Sequence, residues 1–236
     1  MCQDGHVDKP KTVPERRAGA LTRDRVVAVA TEILDEQGET GLTFRALAAR
    51  LQTGHGAIQW HVANKGELLG AATAAIVTSA VGEARPDAVP RQAVHDIALG
   101  VFDVMDAHPW LGRQLVGSAW EPTTLWVFEL LGRQVAKMCT TPTDQFNATS
   151  ALLTYIIGAG GREAANAGAP EAAGERQELL DTMSQFWGGL DPRRYEFTRS
   201  VAESLRTHSD RAVFVAGIDL VLAGINSKKT GIGTNI

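Results

Sequence analysis

Three helix-start signals crowd residues 21–69, and together they dictate a small unit of packed helices. Thr22, Thr43 and Asn64 each stand directly before a run of helix-forming residues. There a short polar side chain can accept a hydrogen bond from a backbone N–H that a new helix leaves unpaired. Leu21 and Leu42 precede the first two caps and are placed to staple onto Val26 and Leu47. Glu67 follows Asn64 by three residues, the spacing of a capping box. These signals predict helices over 23–37, ending at Gly38, over 43–50, over 55–61, and from Asn64 to a break near Pro86 and Pro90. The third helix is a stub that follows Gly54 and lacks a side-chain cap.

Beyond residue 90 the apolar positions keep recurring at three and four residues, and alanine and leucine are abundant. Helices are expected at 91–107, 110–117, 123–138, 143–167, 175–187, 193–206 and 210–224. The chain is therefore expected to be all-α. Its 236 residues and 44% apolar content suffice for a buried core without covalent staples. Cys2 and Cys139 lie too far apart in sequence to suggest a disulfide framework or a four-ligand metal site, and a reducing cytoplasm is the expected location. The N-terminus has no apolar core of a signal peptide, and no apolar run is long enough for a bilayer, so a soluble protein is expected.

On the stub, residues turn by about 100° each. With Ile58 facing inward, Val62 falls on the same face, while His55 and His61 flank it. Gly56, Ala57, Gln59 and Trp60 then point away from the body. Two capped helices joined by a tight turn, the second very short and polar outward, describe a helix-turn-helix whose second helix enters a major groove. Gly56 and Ala57 allow close backbone approach, Gln59 can pair with adenine through two hydrogen bonds, and Ala57 can touch a thymine methyl. Trp60 has two open readings, a half-buried core residue or a phosphate-side contact. His55 and His61, six residues apart, do not share a metal-ligand spacing. Charge is uneven: nine Lys/Arg face six Asp/Glu from Lys9 to Gly66, whereas the net charge of the whole chain is −4. A mildly basic front on an acidic body suits DNA binding through one end. The basic residues Lys9, Lys11, Arg16 and Arg17 fit either a groove-tracking arm or a solvated tail.

At this point the chain resembles the TetR family of bacterial transcriptional regulators. The resemblance rests on GLTFRALA at 41–48, WHV at 60–62 and NKGEL at 64–68, in that order, and covers residues 21–70 closely. HPWL at 108–111 and FVAGIDLVLAGI at 214–225 resemble the tetracycline-repressor branch. The resemblance implies that Thr43 and Lys65 contact phosphates, that Arg45 reaches a base edge or phosphate, and that His55 to His61 form the reading head. It implies four parts: an arm at 1–20, a helix-turn-helix domain at 21–68, a ligand-binding and dimerisation domain at 69–225, and a flexible tail at 226–236. Family members often carry tyrosine where this chain has Gln59, so a different base preference is expected.

Two reading heads must lie about 34 Å apart on a two-fold site, which calls for a homodimer surface. Ala148, Tyr155, Ala159 and Arg162 fall on one face of the helix at 143–167, and Phe214, Ile218 and Leu222 on the helix at 210–224. The family implies that these two helices pair with their symmetry mates into a four-helix bundle; a purely intrachain core is the other possibility. Phe102, Met105, Trp110, Trp120, Trp126, Phe128 and Tyr155 are candidates to line an apolar pocket for an aromatic effector. YIIGAGGREA carries a G-x-G, but Glu163 occupies the third small position and no strands surround it, so a dinucleotide site is not expected. The catalytic pairings of an enzyme are absent. The expected function is a ligand-responsive repressor that binds a palindromic operator in double-stranded DNA as a homodimer and is released by a small molecule. The alternative is a helical ligand carrier or adaptor that has lost DNA binding. Neither a cofactor nor a membrane partner is expected.

Overall fold

A computed structural model describes residues 21–82, 89–117, 121–139, 141–166 and 173–230. Among them every regular element is a helix. The front of the molecule is built by α1 (Arg23–Gly41), α2 (Phe44–Leu51), α3 (His55–Gln59) and the foot of α4 (Lys65–Val81). All three expected caps form. Thr22 Oγ1 accepts from the Arg25 N–H at 3.2 Å, Thr43 Oγ1 from Ala46 at 3.1 Å, and Asn64 Oδ1 from Glu67 at 2.9 Å. The Glu67 carboxylate closes its box on the Ala63 N–H at 2.8 Å, one residue ahead of the cap. Gly38 interrupts α1 as expected, at φ 65°, a left-handed angle that glycine adopts without Cβ strain. One further helical turn then reaches Gly41.

Val26, Ala30, Ile33 and Leu34 of α1, Leu42, Leu47 of α2, Ile58, Val62 and the Leu68–Leu69 pair of α4 bury into one front core. Leu21 packs at its edge. A second core fills the body, made by α5 (Pro90–Ala107), α6 (Trp110–Gly117), α7 (Pro122–Val135), α8 (Pro142–Asn166) and α11 (Asp210–Thr230). The long α8 is its axis, packing on α5, α6, α7 and α11. Helix α4 joins the two cores: Leu68, Leu69 and Ala72 belong to the front and Val77 to the body. Trp110 touches both.

Two stretches differ from expectation. The helix expected at 193–206 is split into α10 (Glu196–Ser200) and a 3₁₀ helix, Ala202–Thr207, because the segment folds back on α9 (Ala173–Gly188). Arg199 reaches the Leu190 carbonyl at 2.6 Å, and Arg206 lies 3.8 Å from Asp181, contacts that a straight helix could not make together. At the C-terminus α11 runs to Thr230, so the first part of the expected tail at 226–236 is helical. Extending an established helix costs far less than nucleating one. The expected arm at 1–20 lies outside the described residues, as do residues 231–236.

Candidate nucleic-acid interface

Helix α2 ends on Gln52, whose φ of 51° turns the chain sharply. The turn is held by N–H bonds from Gln52 to the Ala49 carbonyl at 3.3 Å and from Thr53 to Ala48 at 3.0 Å. It delivers α3 without a side-chain cap at Gly54. The stub closes through Trp60 N–H on Gly56 O at 3.2 Å and Val62 N–H on Ile58 O at 3.1 Å, so the expected 55–61 unit is α3 plus one turn. Ile58 and Val62 are sealed in the front core, while Gly56, Ala57 and Gln59 are exposed. Trp60 is 88% exposed, which removes the half-buried reading. His55 is exposed with its ring 5.0 Å from that of Phe44, and His61 is half-buried.

Thr43 and Arg45 are exposed beside the stub. Thr43 uses its oxygen as a cap acceptor, which leaves its hydroxyl hydrogen free to donate outward. The Lys65 ammonium donates one hydrogen to the Glu39 carbonyl at 2.5 Å, which leaves two further N–H donors for an outside acceptor. The turn that follows Gly38 brings that carbonyl within reach, a non-local arrangement that spacing does not reveal. Sequence reasoning also missed Arg50, whose guanidinium holds Glu36 through two bonds of 2.9 and 2.6 Å and clamps α2 to α1. That bond keeps the Glu36 carboxyl below its ordinary pKa, against a small opposing effect of burial. Asp35 was missed as well. It accepts from Trp110 Nε1 at 2.8 Å and lies 2.7 Å from His108 Nδ1, tying the front domain to the corner between α5 and α6.

Among the described residues, the candidate effector residues do not converge on one cavity. Phe102 stacks on Phe214 at 4.4 Å, and Met105 is fully buried in the same core. Trp110 serves the junction just described. Trp126 is on the outer side of α7, with the Arg133 guanidinium 5.9 Å over its ring, and Phe128 leans on Phe146 at 6.1 Å. The Tyr155 hydroxyl is shared between the Val213 and Phe214 carbonyls at 3.2 and 3.3 Å, and burial raises its pKa. Trp120 lies outside the described residues. Helices α5, α7 and α8 turn these rings onto different faces, which a count of aromatics along the chain cannot show.

The candidate pairing residues also divide. Ala148 and Ala159 are half-buried and Arg162 is exposed. Phe214, Ile218 and Leu222 are a correction: at 2%, 0% and 0% exposure they fill the protomer's own core. They share the stripe of α11 that packs on α8 and α5, so the outward stripe carries other residues. Val213 is 45% and Leu220 75% exposed there, and Ala151, Thr154 and Gly158 are exposed on α8.

No family model matches the chain. The transcriptional regulator SCO7222, a TetR from Streptomyces coelicolor, is 51% identical, superposes with a TM-score of 0.79, and covers 88% of this chain and 98% of its own. The Streptomyces coelicolor TetR family protein ActR, solved in complex with actinorhodin, is 22% identical with a TM-score of 0.72 over 89% of this chain and 99% of its own, a likeness of fold. The HTH-type transcriptional repressor DrrR1 of Streptomyces coeruleorubidus is 29% identical over 178 residues, 73% of this chain and 62% of the relative. The chain spans about three fifths of the length of the curated relatives that it matches most fully. The near-complete match at 51% identity supports the regulator reading over the enzymatic one, and the chain belongs to the TetR family of transcriptional regulators.

Proposed function

We propose that this chain is a homodimeric, ligand-responsive repressor that reads a palindromic operator. Residues 21–68 act as the reading domain and 69–225 as the sensing and pairing domain. One observation carries the reading: α3 and the turn after it bury Ile58 and Val62 while Ala57, Gln59 and Trp60 project from the surface. A five-residue helix with large outward side chains has no folding reason to expose them, and a major groove accepts that shape. His55, Gly56 and His61 complete the reading head, Thr43 binds the flanking backbone, and Arg45 reaches a base edge or a phosphate. Lys65 fixes α4 to α1 with one of its three N–H donors and contacts a phosphate with another.

ActR's complex with actinorhodin supports a small-molecule effector for this chain. Such a ligand releases DNA only by binding one spacing of the two heads better than the other. The test is selection of bound duplexes from a random pool, followed by affinity measurements across salt. A two-fold consensus with half-sites about one helical turn apart is expected. Affinity should fall roughly 10³–10⁵-fold from 50 to 200 mM salt if six to ten phosphates are neutralised. No enriched sequence, together with a flat salt response, would leave the adaptor alternative standing.

A further inference from the structure

Helix α9 carries more apolar surface than its neighbours cover. Its inner stripe of Leu180, Ser184 and Trp187 is buried or half-buried, and Arg206 Nε of the 3₁₀ helix reaches Ser184 Oγ there at 3.4 Å. A second stripe about 100° round the helix, Leu179, Met183 and Phe186, is 44%, 38% and 67% exposed. Phe197 on α10 is 76% exposed as well. Within the chain α9 packs on α10 and the 3₁₀ helix, with no comparable packing on α5, α7, α8 or α11. The three elements form an arm whose root, at the start of α11, is ionic. Asp210 pairs with Arg176 and lies 2.7 Å from His208, and Arg211 pairs with Asp103 of α5. Ion pairs at the root anchor the arm and leave its outer stripe in water.

The body carries a patch that matches it. Leu125 and Trp126 on the outer side of α7 are 45% and 36% exposed, and Phe146 at the start of α8 is 63% exposed beside Phe128. Glu121, directly before α7, is exposed without an ion-pair partner among the described residues. The turn at the tip of the arm carries the opposite charge: Arg193 and Arg194 are exposed, and neither has a carboxylate partner among the described residues. Arm and patch do not pack on each other within one chain. A second copy supplies both halves of the match, and a two-fold makes the contact twice. We infer that in the homodimer each copy lays Leu179, Met183 and Phe186 of its arm across the α7–α8 patch of the other copy. The inference rests on the homodimer of the proposed function and adds a contact outside the α8–α11 seam. That seam alone is small. Helix α11 has 21 residues, so two such helices cover roughly 30 Å by 20 Å, about 600 Å² per copy, whereas obligate homodimers bury at least about 1,000 Å² each.

Sedimentation of the full chain over a concentration series tests the contact. Phe186→Glu on the arm should raise the dimer dissociation constant about thirtyfold or more, and Phe146→Glu on the receiving patch should do the same. Both side chains are largely exposed in the protomer, so each variant should melt as the dilute, monomeric parent does. A benzophenone side chain in place of Phe186 gives a second measurement that does not depend on destabilising the dimer. After subunit exchange with isotope-labelled parent, light should cross-link it to α7 or the first turns of α8 of the labelled copy. Cross-links confined to one chain or to another segment of the partner overturn the arm contact, as does a dissociation constant that Phe186→Glu leaves unmoved, and in each case the homodimer stands. A parent that stays monomeric at every concentration overturns the homodimer reading itself, and the arm contact with it.

Discussion

Ile58 and Trp60 stand two residues apart and have opposite roles, which makes them separable by experiment. Ile58 is fully buried, so Ile58→Ala should cost about 2–5 kcal/mol in a denaturant melt. Trp60 is 88% exposed, and Trp60→Ala should change stability by less than about 0.5 kcal/mol. Its loss should appear only in operator affinity. Gln59→Ala should cost about 1–3 kcal/mol on the preferred operator and relax one position per half-site. An equal loss on all sequences would show that Gln59 does not read a base. These placements were legible because 100° per residue, anchored on two apolar positions, assigns every other side chain of so short a helix. Lys65 was not, because its partner is a backbone carbonyl brought near by the break at Gly38.

At the scale of elements, the caps and their spacing located the starts of the front helices within a residue. A cap is a local interaction whose residue type and position are both visible in sequence. The fold-back of 190–207 was invisible because it is set by contacts with α9, and the inward turn of Phe214, Ile218 and Leu222 by contacts with α8 and α5. Helix α4 concentrates the local signals. Asn64→Ala should cost about 1 kcal/mol, measured in a denaturant melt. Glu67 gives a pH signature. The Ala63 N–H, and after it Arg23, hold its carboxyl below the ordinary glutamate value. A depressed folded-state pKa stabilises the protein above that ordinary value, and the contribution disappears as pH falls through the depressed one. The melting-temperature gap between the parent and Glu67→Ala should therefore be widest near neutrality and narrow below about pH 4.3. A gap that stays constant down to pH 3 would show that the carboxylate's charge is not what braces α4.

For the whole molecule, the argument turns on two cores joined by few links: helix α4, Trp110 with its bond to Asp35, and the packing of α1 on α6. In the proposed repressor such a frame would let the body set the angle of each reading head, and one head alone has too few contacts for a tight, specific site. In the repressor reading pairing decides function, and we place it on the outward face of α8 and α11. Tyr155 ties those helices closely: a Cβ at Gly217 would overlap its hydroxyl, so the two exposed stripes are neighbours. Leu220 is 75% exposed on that face, and burying it against a symmetry mate would gain what solvent exposure wastes. Leu220→Asp leaves the protomer core untouched, since the side chain already points away from it. The variant should melt within about 0.5 kcal/mol of a monomeric reference, yet sediment as a monomer at micromolar concentration. Its operator affinity should fall toward the non-specific level, about 10³-fold or more, because each half-site is then bound alone. A variant that remains dimeric would place the two-fold on another face, and a monomer with undiminished operator affinity would remove the two-headed mechanism itself.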